Sequence, residues 1–296
     1  MNIAVIGCNG QLGRDLVEEA SARGHIVTGL DLPAIDLSDP DSIENALDRN
    51  RPDMVINTAA YTAVDACETH SREAFLVNET GVANLARCAA SHDVPLVHIS
   101  TDYVFDGTAA TPYREDAPPA PASVYGRSKR AGEDALIAIW EKHWIVRIAW
   151  LYGKHGTNFV KSILRAALHA GADGTPLRVV NDQYGSPTWT MSVCNQILCL
   201  AQHGAYGLYH ATAQGYCTWY DFAREIIDCA GISVQLLPCT TAQFPRPAPR
   251  PAWSVLENRR LGEQGIDCMP EWKEGFHQFW NTSGPSLLTQ LEQDAS

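Results

Sequence analysis

The sequence is short of positive charge. Its 296 residues include 22 Lys and Arg against 34 Asp and Glu, which gives a formal net charge of −12. Because contacts with nucleic-acid phosphates need clustered basic side chains, this balance argues against a nucleic-acid partner. It does not exclude a small anionic ligand, since the N-terminus of a helix can bind phosphate on an acidic protein.

Long apolar runs and patterned cysteines are also missing. No apolar stretch approaches the ~20 residues needed to cross a bilayer, and the segment 1–7 reads as a strand without the basic region of a signal peptide. The nine cysteines include no Cys-x-x-Cys pair, which argues against a disulfide framework or a zinc site. We therefore expect free thiols, a cytoplasmic location and no membrane partner.

The apolar pattern of the first half is typical of a parallel sheet covered by helices. Hydrophobic residues make up 45% and charged residues 19% of the chain, the balance of a globular protein. Strands without polar alternation, separated by helices, indicate an α/β fold with a doubly wound sheet. The predicted strands are 3–6, 26–30, 54–56, 96–99 and 144–148. The predicted helices are 11–22, 42–50, 72–91, 123–142, 158–170, 188–202 and 219–230.

The pattern loosens after about residue 150, and some segments there and before it need separate interpretation. The stretch 245–251 is either a flexible linker or a ligand-facing loop, because arginines and flanking aromatic residues accompany its prolines. Residues 114–116 are most simply a solvated loop. The tail beyond about Gly284 is polar, and we expect part of it to be disordered.

A glycine-rich turn follows the first strand. Gly7, Gly10 and Gly13 have the spacing G-x-x-G-x-x-G between a strand and a helix. Gly7 permits a tight turn, Gly10 lets the backbone approach a pyrophosphate, and Gly13 allows close packing of the helix on the strand. The free N–H groups and the dipole of the helix N-terminus favour phosphates. The context favours a dinucleotide site over an ordinary turn with three glycines.

The residues after the second and third strands bear on which dinucleotide binds. Asp31 ends the second strand, where a carboxylate can accept hydrogen bonds from a ribose hydroxyl and repels a 2′-phosphate. Arg14 lies beside the turn, where a guanidinium can pair with such a phosphate, so NADH and NADPH both stay open. Asp36 is placed either at the adenine edge or in a plain surface turn. Small residues at 57–61 leave room for a dinucleotide.

A tyrosine and a lysine in the long helix suggest acid–base chemistry. Tyr125 and Lys129 are four residues apart and share one helix face. A free tyrosine has a pKa of about 10, and a positive charge at about 4 Å contributes up to about 4 kcal/mol, or about three pKa units. We expect Lys129 to lower the pKa of Tyr125 and to hold a ribose hydroxyl. Thr101, at the end of the fourth strand, supplies a hydroxyl that can polarise a carbonyl oxygen.

Ordered motifs along nearly the whole chain resemble the extended short-chain dehydrogenase/reductase superfamily and, within it, the dTDP-4-dehydrorhamnose reductase family. The motifs of the second half are the specific ones, because the earlier ones occur across the superfamily. The resembling segments are 7–13, 57–65, 100–107, 124–129, 147–152, 158–159, 181–188, 207–210 and 250–256. The resemblance implies a Rossmann-like NAD(P)-binding domain at residues 1–150, to which later segments return, and a smaller C-terminal domain at 151–296 that mainly binds substrate.

The resemblance also implies a reaction and a set of site residues. NADPH or NADH would reduce the C4 keto group of the nucleotide-sugar dTDP-4-dehydro-β-L-rhamnose, with Tyr125 as the proton donor, assisted by Lys129 and Thr101. The implied cofactor-binding residues are Gly7, Gly10, Gln11, Leu12, Gly13, Asp31, Asp36, Leu37, Ala59, Ala60, Tyr61, Tyr125 and Lys129. The implied substrate-binding residues are Thr101, Asp102, Trp150 and, for the diphosphate, Arg250.

The same family comparison raises the question of metal and assembly. Certain members are magnesium-linked dimers held by glutamates, whereas this sequence has Asp15 in its first helix and Thr190 near the corresponding later motif. No matching glutamate pair is evident, so we expect no metal and either a monomer or a homodimer.

Three other functions stay open. The chain also resembles the regulatory β subunit of methionine adenosyltransferase, a binding partner, but the intact Tyr125, Lys129 and Thr101 favour catalysis. A dehydratase or epimerase is disfavoured, because the Asp-Glu pair of dehydratases is replaced here by Asp102 and Tyr103. A reductase of a neighbouring nucleotide-deoxysugar is the third, since sugar specificity depends on a few loop contacts.

Overall fold

The computed structural model describes residues 1–295. The strands are β1 (Asn2–Ile6), β2 (Ile26–Leu30), β3 (Met54–Asn57), β4 (Leu96–Thr101), β5 (His143–Ile148), β6 (Leu151–Tyr152), β7 (Leu177–Val180), β8 (Tyr184–Gly185), β9 (Thr188–Trp189), β10 (Gly207–His210), β11 (Cys217–Thr218) and β12 (Leu236–Cys239). The helices are α1 (Gln11–Ala22), α2 (Pro40–Asn50), α3 (Val64–Cys67), α4 (Ser71–Phe75), α5 (Gly81–Ser91), α6 (Val124–Ile139), α7 (Phe159–Asp173), α8 (Thr190–His203), α9 (Trp219–Ala230), α10 (Arg259–Glu263) and α11 (Trp272–Ala295).

A single parallel sheet organises most of the first half of the chain. Its six strands lie in the order β10-β5-β4-β3-β1-β2, and all neighbouring pairs are parallel. The chain places β2 on one side of β1 and β3 on the other, so the strand order reverses between β1 and β3. Ligands of such sheets bind at the carboxyl ends beside this reversal. The topology confirms the predicted α/β fold with a Rossmann-like doubly wound sheet.

Alternate residues of β1 face two different cores, because successive side chains of a strand point to opposite faces. Ile3 and Val5 pack in a core that includes residues of α1 and α8. Ala4 and Ile6 pack in the other core, with residues of α2, α5 and α6. The continuous apolar runs in the sequence therefore reflect a sheet that is buried on both faces.

A third core gathers the helices of the later chain. Residues of α7, α9 and α11 pack there around a cluster of aromatic rings that includes Tyr152, Phe222, Phe276 and Phe279. Three two-stranded pairings, β6 with β9, β7 with β12 and β8 with β11, accompany it. However, α8 packs on α1 and β10 pairs with β5, so the later chain also contributes to the large sheet. The division at residue 150 stays a prediction.

Two sequence interpretations fail for the same physical reason, burial by distant segments. The tail beyond Gly284 is helical in α11, where Leu287 and Leu291 are buried in the third core; residue 296 lies outside the described residues. Glu115 is half-buried, and its Oε1 accepts hydrogen bonds from the backbone N–H groups of His210 and Arg260, so 114–116 is not simply a solvated loop.

The predicted helix 72–91 is interrupted. A π-helical turn, Leu76–Thr80, joins α4 to α5. Asn78 within this turn is buried, and its side chain accepts from the Tyr61 N–H at 2.8 Å and donates to the Ser128 hydroxyl at 2.9 Å. Such turns are common at functional sites. Here the turn ties the segment after β3 to α6.

Two further expectations concern composition. All nine cysteines are free, as predicted from their spacing. Among residues 1–295, no helix combines the length and the apolar character that crossing a membrane requires.

Candidate active site

A cavity of about 720 Å³ opens at the carboxyl ends of β1, β3 and β4. Its volume lies within the range of roughly 300–1,000 Å³ that is usual for small-molecule sites. The predicted site residues that line it are Gly7, Gly10, Gln11, Leu12, Asp31, Asp36, Leu37, Ala59, Ala60, Tyr61, Thr101, Asp102, Tyr125, Lys129 and Trp150. Two predicted site residues, Gly13 and Arg250, do not line this cavity.

The glycine turn has the sterics that a dinucleotide needs. Gly7 has a φ of +78°, and a Cβ on it would lie 2.6 Å from the backbone nitrogen of Ala59. A Cβ on Gly13 would lie 2.2 Å from the carbonyl oxygen of Gly7, which supports the close packing of the helix on the strand, and the assignment of Gly13 to the cofactor-binding set stays a prediction. The N-cap of α1, Gly10, provides no side-chain cap, and the first turn has no acidic residue. The N–H groups at this helix start therefore fit a pyrophosphate.

Asp31 supports the turn as well as lining the cavity. Its Oδ2 accepts from the Asn9 N–H at 3.0 Å, and its Oδ1 accepts from the Leu32 N–H at 2.9 Å. The Nε of Arg14 donates to the carbonyl oxygen of Asn9 at 3.1 Å. Asp31 and Arg14 thus both contact Asn9. The negative charge of Asp31 disfavours the 2′-phosphate of NADPH and the positive charge of Arg14 favours it, so the choice between NADH and NADPH stays open. Asp36 lines the cavity and accepts from the Ser38 N–H and hydroxyl, so it belongs to a surface turn, and its place at the adenine edge stays a prediction.

Lys129 is held by backbone and histidine at the bottom of the cavity. Its Nζ donates to the carbonyl oxygen of Ile99 at 2.7 Å and lies 3.3 Å from Nε2 of His98. The other ring nitrogen of His98 lies 3.1 Å from the amide nitrogen of Asn57. Burial lowers the pKa of Lys129 to about 8 and, with the Lys129 charge, holds that of His98 well below its usual value. Lys129, His98 and Asn57 therefore form a chain of polar contacts that begins at the cavity and continues into the buried interior.

The protonation of Tyr125 differs from the sequence expectation. Burial raises the pKa of Tyr125 above its usual value, hydrogen bonding to Thr101 opposes that rise, and the nearby Asp102 adds to it. The expected lowering by Lys129 is not seen in this structure, because desolvation dominates the pKa of Tyr125. The consequence is a phenol that keeps its proton at neutral pH, which suits a proton donor.

Thr101 and Asp102 form a hydrogen-bonded pair where β4 ends. The hydroxyl of Thr101 donates to Oδ1 of Asp102 at 2.9 Å and accepts from the Tyr103 N–H at 3.2 Å. Burial raises the pKa of Asp102 to about 6, and hydrogen bonds from Ser254 and Thr101 oppose that rise. Ser254 comes from the far C-terminal part of the chain, and the sequence analysis missed it.

Trp150 forms a rigid part of the cavity wall. Its ring stacks on that of Trp219 with centroids 3.4 Å apart and planes 4° apart. A Cβ on Gly185 would lie 2.2 Å from the Trp150 ring, so the indole packs directly on that backbone. Trp150 itself has a φ of +49°, an unusual value for a bulky residue. Trp219 and Gly185 fix its position, and neither was expected from the sequence.

Arg250 lies in a small neighbouring pocket. Its Nη2 lies 2.9 Å from Oδ2 of Asp65, and Tyr103 lines both this pocket and the large cavity. The Ala248 N–H donates to Oδ1 of Asp65 at 3.2 Å, and a Cβ on Gly107 would lie 2.3 Å from Pro251. The segment 245–251 is therefore anchored beside the cavity, which favours a ligand-facing loop over a flexible linker.

The sequence analysis missed most residues behind the cavity wall. His98 carried the one readable signal, a polar residue inside an apolar strand, because a buried polar group needs a partner. Gly185 and Ser254 lie within the motif segments 181–188 and 250–256, but nothing local showed that they support the site, since they and Trp219 reach it only through the tertiary fold.

The glycine turn on a doubly wound sheet and the set Thr101, Tyr125 and Lys129 on one cavity define a short-chain dehydrogenase/reductase of the extended type. The chain belongs to the family described as RmlD substrate binding domain, whose model matches residues 1–284. This confirms the resemblance that the sequence motifs indicated.

Solved structures of this family have the same fold. A dTDP-4-dehydrorhamnose reductase from Clostridium acetobutylicum superposes with a TM-score of 0.91 at 41% identity, covering 95% of this chain and 99% of that one. A second dTDP-4-dehydrorhamnose reductase, from Bacillus anthracis in complex with NADP, gives a TM-score of 0.90 at 36% identity, with 95% and 99% coverage. Among sequence relatives, a probable dTDP-4,6-dihydroxy-2-methyloxan-3-one 4-ketoreductase of Streptomyces antibioticus is 40% identical over 281 residues, 94% of each chain.

Proposed function

We propose that this protein uses NADPH or NADH to reduce the C4 keto group of dTDP-4-dehydro-β-L-rhamnose, giving dTDP-L-rhamnose. The observation that carries the proposal is the convergence of Thr101, Tyr125 and Lys129 on a cavity that begins at the glycine turn. The names of the two solved relatives support the substrate, and the NADP in one of them supports the cofactor.

The cofactor half of the site follows from backbone geometry. The uncapped start of α1, with Gln11 and Leu12, would hold the pyrophosphate, and Asp31 would face the adenosine ribose. Asp36 and Leu37 would border the adenine, while Ala59, Ala60 and Tyr61 border the dinucleotide along β3. When bound there, NAD(P)H supplies the hydride for C4 of the sugar.

Proton transfer is the task of the protein side chains. The Tyr125 hydroxyl keeps its proton and would donate it to the keto oxygen as that oxygen becomes an alkoxide. Thr101 would hydrogen-bond the same oxygen by turning toward it the hydroxyl hydrogen that it otherwise donates to Asp102. Lys129, anchored on Ile99, would bind the nicotinamide ribose.

The nucleotide-sugar would lie across the cavity mouth. Trp150 would pack on the sugar, and Arg250 would meet the diphosphate from its pocket beside Tyr103. We propose the same division of labour as the sequence suggested: residues 1–150, with returning segments, for the cofactor and 151–296 mainly for the substrate. A cytoplasmic monomer or homodimer without nucleic-acid or membrane partners fits the acidic charge and the free thiols.

A reductase of a related nucleotide-deoxysugar is the second candidate, because the 40% identical relative is named for a different dTDP-sugar. One assay separates these functions. The purified chain is incubated with dTDP-4-keto-L-rhamnose or a related dTDP-4-keto sugar and each cofactor, and NAD(P)H consumption and the reduced sugar are measured. Oxidation with only the related sugar would select the second candidate. No oxidation with any substrate would contradict both and favour a non-catalytic binding role.

A further inference from the structure

The facing helices α2 and α5 bring four groups with metal-binding chemistry together. Glu44 and Asp48 are one turn apart on α2, and Cys88 and His92 are one turn apart at the end of α5. Residues four apart in a helix share a face, so each helix contributes two groups to one place. Ligand atoms of Glu44, Cys88 and His92 all lie within 4.8 Å of one another.

The separations match the edges of a tetrahedral zinc site. Zinc–ligand distances of about 2.0–2.3 Å place neighbouring ligand atoms roughly 3.3–3.6 Å apart. Here Sγ of Cys88 lies 3.1 Å from Oε2 of Glu44, and Nε2 of His92 lies 3.6 Å from Oε1 of Glu44. Nε2 of His92 also lies 3.2 Å from Oδ1 of Asp48. Glu44, Cys88 and His92 are already clustered, and rotation of the Asp48 side chain, which lies beside His92, would bring a fourth donor to the ion.

The orientation of His92 is already that of a ligand. Its Nδ1 lies 2.9 Å from the carbonyl oxygen of Cys88. Because a carbonyl only accepts, Nδ1 carries the hydrogen in this contact. Nε2 faces the carboxylates and, without a metal, donates a hydrogen to Oδ1 of Asp48, so the ring has to lose that proton before Nε2 can bind an ion. Metal-binding histidines commonly have a hydrogen bond like that of Nδ1, which fixes tautomer and ring orientation.

Charge distinguishes this cluster from two others of similar composition. Within residues 1–295, no Lys or Arg lies within 4.0 Å of the carboxylates of Glu44 and Asp48, and His92 is their one ionic partner. By contrast, Lys154 reaches the cluster of Asp15, Glu18 and His155, and Lys273 reaches the cluster of Glu225, Cys229 and His277. An ammonium already occupies the cationic position in those two clusters.

We propose that Glu44, Asp48, Cys88 and His92 bind one Zn²⁺ ion that joins α2 to α5. Mixed sulfur, nitrogen and carboxylate donors suit zinc. On binding, the Cys88 thiol releases the proton that it otherwise donates to Glu44, and His92 releases its Nε2 proton, both to solvent. The carboxylates of Glu44 and Asp48, with 51% and 69% of their side chains exposed, give the ion an open entry path.

The ion would act on stability and not on the reaction. The cluster lies outside the cavity. Helix α5 contacts the cavity lining at one place, where the Asn84 side chain donates to the carbonyl oxygen of Leu37 at 3.1 Å. A ligand that binds the folded chain alone raises its melting temperature by mass action.

Cobalt titration of the full chain tests the proposal. After removal of metals with a chelator, Co²⁺ alone is added, and then Zn²⁺. We expect one ion per chain, a thiolate-to-cobalt charge-transfer absorption, its loss when Zn²⁺ displaces Co²⁺, and a higher melting temperature. Cys88→Ser should abolish the absorption. Glu44→Gln, at an exposed position that tolerates substitution, should lower the affinity at least about tenfold.

Cys229→Ser is the matched control. Cys229 also lies near a glutamate and a histidine, but that glutamate, Glu225, is already paired with Lys273. This variant should bind the ion with unchanged stoichiometry and absorption. Absence of binding would overturn the proposal, and so would binding that Cys88→Ser and Glu44→Gln leave unchanged, or absorption that Cys229→Ser removes.

Discussion

Glu133 and Arg147 form a doubly hydrogen-bonded ion pair that is buried between α6 and β5. The two N–H···O distances are 2.8 and 2.7 Å, and the side chains are 0% and 1% exposed. Since α6 also carries Tyr125 and Lys129, this pair fixes the helix that presents both groups to the cavity. The geometry of the proposed active site thus depends on an interaction outside it.

Glu133→Ala should destabilise the fold strongly. Removal of one partner leaves Arg147 buried without its counter-charge, which costs about 3–5 kcal/mol. Urea unfolding followed by circular dichroism measures the free energy of unfolding. Asp134→Ala, at the next and exposed position, is the control and should change that free energy by less than about 1 kcal/mol. Equal effects of the two substitutions would contradict the structural role of the pair.

Tyr125→Phe should lower turnover by about 10²-fold or more, because the ring remains and the proton that it donates is lost. The dissociation constant for NADPH or NADH should stay nearly unchanged, since the packing of α6 is kept. Steady-state kinetics and cofactor titration measure the two quantities. Tyr206→Phe, at an exposed site beside Trp144, serves as the control and should behave as the unsubstituted protein. Undiminished turnover would remove Tyr125 from the mechanism.

Asp31→Asn should shift the cofactor preference toward NADPH. The amide keeps a hydrogen-bond acceptor for the Asn9 or Leu32 N–H but removes the negative charge that would face a 2′-phosphate. Removal of one like charge is worth about 1.4 kcal/mol or more at close range, so the ratio of kcat/KM values should rise about tenfold. Asp36→Asn is the comparison. If only Asp36→Asn changes the ratio, residue 36 contacts the ribose instead of Asp31.

Asp102→Asn should stabilise the fold in a pH-dependent way. Burial raises the pKa of Asp102 to about 6 from 3.8, so its favourable contribution is complete below pH 3.8 and is lost as the pH rises through about 6. The variant cannot ionise and avoids this loss. Its free energy of unfolding, minus that of the unsubstituted protein, should therefore rise by up to about 3 kcal/mol between pH 4 and pH 8. Asp116→Asn, at an exposed position, is the control. If the difference for Asp102→Asn did not change with pH, the raised pKa of Asp102 would be contradicted.

Local patterns in the sequence were sufficient for much of the fold. The predicted bounds of α1, β2 and α9 coincide with those in the structure, because apolar periodicity and turn residues are read over a few neighbours. The break of the helix at Leu76–Thr80 escaped prediction, since it depends on Asn78 bonding to Tyr61 and Ser128. The helix in the C-terminal tail was also not predicted, because the tail is polar overall and the burial of its few leucines depends on distant segments.

The sequence by itself determined the doubly wound sheet, the glycine turn and which residues form the proposed catalytic set. These features rest on local sterics, on periodicity and on the order of motifs along the chain. Only the tertiary structure decided the protonation of Tyr125, the position of Arg250 beside Tyr103, and the meeting of Glu44 with Cys88. The physical reason is that desolvation and charge pairing depend on groups far away in the sequence, which become neighbours only when the chain folds.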